Sequence, residues 1–290
     1  MNMRLLLCTD LDRTLLPNGP QPESPQARSR FAVLAARPEV TLVYVSGRDR
    51  QLVTAAMNEY SLPTPDFVIG DVGTTIYEVH GGNWQPWPDW EAEIAPDWAG
   101  LEQHDIHRLL RDMADLQAQE AAKQNRHKAS FYVPLQADTE SLSNDIHRRL
   151  DSAGIRAGLV WSIDEARDTG LLDILPAGAS KQHAVSFLMQ RKRFALADTV
   201  FAGDSGNDLP VLAGEIPAVL VANASPEVRH QALALAQAQG HADTLYIAQG
   251  DFMGMNGNYT AGVLEGVVHY RPEIHDWLLQ NTDKVPADGC

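Results

Sequence analysis

The chain of 290 residues is 44% hydrophobic and 21% charged, enough to bury one large core or two ordinary ones. Its formal charge of -15, from 38 acidic against 23 basic residues, excludes a general nucleic-acid binder, because phosphate backbones are held by surplus Lys and Arg. No apolar run approaches the roughly 18 residues that span a bilayer, and no signal-like start precedes the first strand, so a cytoplasmic protein with no membrane partner is expected; Cys8 in an apolar run and the final Cys290 suit a reducing compartment.

The first predicted element is the apolar run Leu5-Leu6-Leu7-Cys8, a buried strand ending just before Asp10 and Asp12. Helical spacing follows over 24–36, then a strand over 40–45, a helix over 51–60 and a short strand over 66–70. From about 79 to 169 this rhythm breaks. There the sequence predicts an irregular Trp-rich stretch over 84–98, a helix over 106–119, a strand over 129–133, a helix over 139–153 and a strand over 157–163. The alternation resumes with a strand over 171–175, a helix over 181–190, a strand over 199–202, a helix around Leu209, a strand over 218–221 and a helix over 226–237, and the tail after Gln280 reads as loose. Strand and helix in turn predict an α/β fold, a Rossmann-like parallel-sheet core domain of residues 1–79 and 170–290, with an inserted α+β domain of residues 80–169.

Asp10 and Asp12 stand where a strand leaves the sheet, and ligands of open parallel sheets bind outside such carboxyl ends. Alternation along an extended segment sends both carboxylates roughly the same way, and their repulsion calls for a nearby cation or a shared proton. Three further patches fall at or near the same edge. Ser46-Gly47-Arg48 offers a hydroxyl and a bare amide able to hold a phosphate oxygen. Lys181 opens a helix after Gly178-Ala179-Ser180, placing an ammonium at a positive helix end. Gly203-Asp204-Ser205-Gly206-Asn207-Asp208 adds two carboxylates, an amide and a hydroxyl. Singly, the patches read as turns, a solvated Lys and a capped loop. Together they contain what phosphoryl transfer from a monoester requires: a carboxylate nucleophile, a second carboxylate to protonate the leaving oxygen, a hard cation, and positive donors on the equatorial oxygens.

These four ordered motifs resemble those of the haloacid dehalogenase superfamily in its phosphatase branch, and the insert resembles that superfamily's type II α/β cap. The stretches Gly70-Asp71-Val72-Gly73-Thr74-Thr75-Ile76-Tyr77, His127-Lys128-Ala129-Ser130-Phe131-Tyr132 and Leu172-Asp173-Ile174-Leu175-Pro176 are most similar to sucrose-phosphate phosphatases and their relatives. The resemblance implies that Asp10 is the nucleophile, forming an aspartyl-phosphate, and that Asp12 is first acid and then base. It makes Mg2+ the cofactor, held by Asp10, the Asp12 backbone carbonyl and Asp204, with Asp208 assigned to the metal site through water or the loop backbone. Ser46, Gly47, Lys181 and Asn207 are implied to bind the phosphoryl oxygens and Thr14 to buttress the loop. Arg13 departs from the pattern, standing where many relatives carry Gly or Asn.

Specificity is expected from the cap, through Lys128, with Arg48, Gly73 and Thr74 near the hinge. Trp84, Trp87, Trp90 and Trp98 are expected mainly to pack, and the scattered histidines form no zinc constellation. The leading expectation is a Mg2+-dependent phosphatase, a monomer or weak homodimer, acting on a phosphorylated sugar or disaccharide, with sucrose-phosphate the best named substrate. A sugar phosphomutase, which returns the phosphoryl group to sugar, is the nearest alternative. A phosphate-responsive regulatory module is the other, and Asp12 argues against it.

Overall fold

A computed structural model describes residues 4–164 and 167–280. Its strands are β1 Leu5–Thr9, β2 Val40–Val45, β3 Phe67–Gly70, β4 Thr75–His80, β5 Asn83–Pro86, β6 Gln117–Ala118, β7 Ala129–Val133, β8 Ala157–Asp164, β9 Thr169–Pro176, β10 Thr199–Gly203, β11 Ala218–Leu220 and β12 Leu245–Ile247. Its helices are α1 Ala27–Ala35, α2 Arg50–Glu59, α3 Pro88–Ile94, α4 Gln103–Leu110, α5 Thr139–Ser152, α6 Lys181–Lys192, α7 Leu209–Leu212, α8 Pro226–Gln239, α9 Thr260–Tyr270 and α10 Glu273–Gln280.

Among the described residues the strands form two sheets, a large one ordered β12-β11-β10-β1-β2-β3-β4-β5 and a small one ordered β6-β7-β9-β8. The large sheet is parallel from β12 to β3, and β4 and β5 add an antiparallel edge. Leu5, Leu6, Leu7 and Cys8 are at most 1% exposed, because a central parallel strand is covered on both faces. Leu5 and Leu7 pack in a core with Phe31 of α1 and Val263 and Val267 of α9, whereas Leu6 and Cys8 join Val185 and Leu188 of α6 and Leu212 of α7. Winding runs outward from β1 to β3 on one side and from β10 to β12 on the other, so it reverses between β1 and β10 and leaves a crevice at their carboxyl ends. Thr9 pairs with Ala202, and the Asp10 amide donates to the Ala202 carbonyl at 2.9 Å.

The small sheet is antiparallel and one-sided. Phe131, Val133, Leu172 and Ile174 pack against Ile106 and Leu110 of α4 and Leu142, Ile146 and Leu150 of α5. Alternation then sends Tyr132, Leu171 and Asp173 to the other face, over the large sheet's crevice.

The α/β class is as expected, and several element expectations are corrected. The run 171–175 lies in β9 of the small sheet, not the parallel one, because alternate residues along it serve a half-buried face. The large sheet continues past residue 79 through the β4–β5 hairpin to Pro86. The helix expected over 106–119 stops at Leu110, where successive turns at Met113 and Leu116 bring the chain to β6. Strands β4, β5 and β12 and helices α9 and α10 were not anticipated; α9 is apolar nearly all round and carries two glycines, which erases a helical stripe. The tail after Gln280, expected to be loose, lies outside the described residues. No helix among those residues is long and apolar enough to cross a membrane.

Helix α9 crosses β11 so closely that a Cβ on Gly266 would lie 2.2 Å from a Val219 methyl. Helix propensity alone favours Ala over Gly by about 1 kcal/mol, but the clash dominates. Gly266→Ala is expected to destabilise the protein by about 1–3 kcal/mol in denaturant titration; an unchanged or raised midpoint would contradict this packing.

Candidate active site

The chain leaves β1 at Asp10 and turns at once. The Leu11 carbonyl accepts from the Leu15 and Leu16 amides at 3.0 and 2.8 Å, and Arg13 takes the left-handed conformation with φ 58°. This turn leaves Asp10 buried at the base of the crevice and Asp12 partly exposed above it.

Lys181 opens α6, whose N-cap Ser180 accepts from the His183 amide. Its ammonium is buried, 3.0 Å from Asp10 Oδ1 and 2.7 Å from Asp208 Oδ1, and donates to Asn207 Oδ1 at 3.3 Å. Burial would lower the Lys181 pKa, but the charges of Asp10 and Asp208 outweigh it and hold the ammonium protonated. The other oxygen of Asp208 accepts from the Asp204 amide and from the amide and hydroxyl of Ser205, so this carboxylate ties the loop after β10 to Lys181. Only glycine fits at 203, where a Cβ would stand 2.6 Å from the Asp208 carboxyl carbon.

Asp204 accepts from Thr14 Oγ1 at 3.0 Å and has Arg13 Nε at 3.7 Å. Oxygens of Asp10, Asp204 and Asp208 all lie within 4.8 Å of one another. Burial raises the Asp10 pKa well above the carboxylate range; Lys181 opposes that, while Asp208 and Asp204 add to it. Burial and then Asp208 push Asp204 up to about 6, against Thr14 and Arg13. Three buried carboxylates thus face one ammonium and a more distant guanidinium, a negative excess that a divalent cation would relieve. An all-oxygen donor set suits Mg2+, and among the described residues Asp10 and Asp204 each keep an oxygen without a protein hydrogen bond to offer it.

Asp12 behaves differently. Arg48 grips both its oxygens, Nε to Oδ2 at 2.8 Å and Nη2 to Oδ1 at 2.6 Å, and Asn18 Nδ2 donates to Oδ1 at 2.7 Å. Burial would raise this carboxyl, but the hydrogen bonds and charge of Arg48, with Asn18, leave it below its ordinary value.

Ser46 is buried at the end of β2, its Oγ accepting from the Arg48 amide at 3.2 Å, and Gly47 beside it is exposed on the crevice wall. Above lies a cleft of about 670 Å3 between the two sheets, whose small-sheet wall includes Gln119, Lys128, Tyr132, Trp161 and Asp173. Lys128 is buried, 3.5 Å from Asp71 in the turn after β3. Gly73 and Thr74 lie beside the cleft, not on it. Gly73 has φ 93° and backs onto the Ser180–Lys181 peptide, and Thr74 Oγ1 accepts from Asn125 while donating to the Asp71 carbonyl. Val72 reaches the wall in their place.

Trp84, Trp90 and Trp98 are at most 8% exposed and Trp87 packs edge-on to Phe67; none of the four reaches the cleft. Trp161, Asp173 and Gln119 do, and were not singled out from sequence. Period-two alternation from Lys128 to Tyr132 was a readable sign of one face of β7, whereas its neighbours in β8 and β9 are set by cross-strand register.

A parallel-dominated sheet with four acidic, basic and hydroxyl-bearing loops at its switch point is the architecture of a haloacid dehalogenase-like phosphatase. The chain matches the sucrose-6F-phosphate phosphohydrolase family over residues 3–271 and belongs to that family of phosphoric monoester hydrolases. It is 53% identical over 294 residues to a protein of Nitrosococcus oceani described only as a HAD-like hydrolase, covering 100% of this chain and 79% of that protein. It is 33% identical over 226 residues to the mannosylfructose-phosphate phosphatase of Agrobacterium fabrum, covering 77% of this chain and 85% of that enzyme. The sucrose-phosphatase of Synechocystis, solved with sucrose and phosphate, shares the fold at TM-score 0.72 and 24% identity, covering 93% of this chain and 98% of that one. The chain spans about half the length of the plant sucrose-phosphatases it also matches.

The raised carboxyl of Asp204 has a thermodynamic consequence with a definite sign. Its contribution to stability is fully present below the unfolded value near 3.9 and is lost as pH rises through about 6. In chelator, Asp204→Asn should therefore gain on the wild type by about 2–3 kcal/mol across that window, and Mg2+ should raise the wild-type melting temperature above pH 6 far more than at pH 4. A difference between the two proteins that stays flat with pH would contradict the assignment.

Proposed function

We propose that the protein is a Mg2+-dependent phosphatase of a phosphorylated sugar or disaccharide, with sucrose-phosphate the first substrate to try, working through an aspartyl-phosphate on Asp10. The observation that carries this reading is the placement of Asp10 against Lys181 at the floor of the cleft, with Asp12 two residues beyond and in the cleft wall.

In the proposed sequence the substrate phosphoryl group sits among Lys181, the Ser46 hydroxyl, the Gly47 amide and Asn207, which neutralise its equatorial oxygens. An Asp10 oxygen attacks phosphorus, the bond from phosphorus to the sugar oxygen breaks, and Asp12 gives that oxygen its proton. Water then attacks the aspartyl-phosphate while Asp12 takes back a proton, releasing phosphate and the Asp10 carboxylate. Bound Mg2+, held by Asp10, Asp204 and the Asp12 carbonyl, would supply charge neutralisation between nucleophile and phosphate. Asp208 acts through Lys181 and the loop it ties down. The Arg48-paired Asp12 is the ionised partner suited to the second step; in the first, Arg48 must release one Asp12 oxygen, which carries a proton taken from solvent or kept from the previous turnover and gives it to the leaving oxygen.

The small sheet with α4 and α5 serves in this reading as the cap. Its Asp173 carboxylate, Gln119 amide and Trp161 ring fit a polyhydroxylated substrate better than an apolar one, and relatives named for sucrose-phosphate and mannosylfructose-phosphate support a disaccharide.

A panel of sugar monophosphates and disaccharide phosphates with Mg2+, using Asp10→Ala as the blank, tests the reading. Phosphate release above the blank is expected, fastest with a disaccharide phosphate; none above the blank would end the phosphatase assignment. Asp12→Asn should lower kcat by about 10^2–10^4-fold, and hydrolysis at the wild-type rate in that variant would remove Asp12 from its role.

A further inference from the structure

The turn that carries Asp12 is clamped from within its own loop and from a distant part of the chain. The Arg13 amide donates to Asn18 Oδ1 at 2.8 Å, and the Arg13 carbonyl accepts from Asn223 Nδ2 at 2.6 Å. Arg13 sits at φ 58°, a left-handed conformation that costs a non-glycine residue about 1–3 kcal/mol and persists only when its surroundings hold it. Asn223 is 4% exposed, and its other end accepts the amide of Tyr259, itself at φ 50° and fully buried at the start of α9. One buried amide therefore fixes two strained residues that are far apart in sequence.

The clamp bears directly on Asp12. Because a trans peptide points its N–H and C=O in opposite directions, holding the Arg13 amide on Asn18 fixes where the Asp12 carbonyl points. The same Asn18 also donates to the Asp12 carboxylate. We propose that Asn18 and Asn223 are positioning residues that together hold Asp12, its carboxylate toward the leaving group and its carbonyl toward the Asp10–Asp204 pair. The proposal rests on the phosphatase reading for the role of Asp12, but not for the clamp itself.

Three variants test it: Asn18→Ala, whose exposed side chain can be removed without opening the core, Asn223→Ala, and the double variant. With a hydrolysed sugar phosphate and saturating Mg2+, each single variant should lose about 10- to 100-fold in kcat while KM moves less than about 3-fold. The double variant should lose little more than the worse single one, because both act on the same peptide segment. Calorimetric titration with Mg2+, which needs no turnover, should show affinity weakened about 10-fold in Asn18→Ala at an unchanged melting temperature. Wild-type kcat in either single variant, a change confined to KM, or additive losses would overturn the clamp, as would unaltered Mg2+ affinity in Asn18→Ala. Should the wild type hydrolyse no sugar phosphate, the phosphatase reading fails, while the calorimetric comparison still decides the clamp.

Discussion

A buried ammonium cannot stand alone in a protein interior, and Lys181 is held by contacts from two other parts of the chain. Asp10 comes from the end of β1, Asp208 and Asn207 from the loop after β10, and Lys181 itself from the first residue of α6. Removing Lys181 would leave buried carboxylates without compensation, and its two ion pairs fix these segments relative to one another. The same cluster is over-supplied with negative charge once Asp204 is counted, which adds to burial in pushing Asp10 and Asp204 upward and suits the site to a cation.

The two adjacent aspartates are separated by geometry more than by chemistry. Asp10 follows β1 directly and is pinned at the floor by its amide to Ala202. Asp12 lies in the turn that follows, on the cleft wall, where Arg48 and Asn18 reach it. One carboxyl is raised by burial among acids and the other lowered by a guanidinium, the divergence that lets neighbouring groups of one type take different roles. Opposite them, the small sheet contributes polar side chains on the face its own core does not need.

Much of this was legible in the residues. The run Leu5 to Cys8 announced a doubly covered strand, and Asp10, Lys181, Asp204 and Asp208, placed at strand and helix ends, do converge. Their convergence follows from local rules, since parallel strands deliver all their carboxyl ends to one edge. Less legible was the partner of Asp12. Arg48 lines the cleft, but nothing around it in the sequence tells that its guanidinium is paired there with a carboxylate 36 positions earlier. Gly73 and Thr74 carried no sign that they would back the cleft instead of lining it, because the three successive left-handed residues Asp71, Val72 and Gly73 turn the chain in a way that spacing does not show. Strand β9 reads like any apolar strand, and only its partners reveal a different sheet.

Local periodicity and the loop chemistry at element ends were therefore sufficient for the α/β class, the switch-point site and the ionisable groups in it. These are properties of short segments, and short segments encode them. The membership of each sheet, the clamp by Asn18 and Asn223, and the cleft wall of Trp161 and Asp173 came from folding alone. Apart from the short-range contacts of Asn18, they join residues far apart in sequence, and strand register and side-chain direction, which spacing along the chain does not contain, settle them.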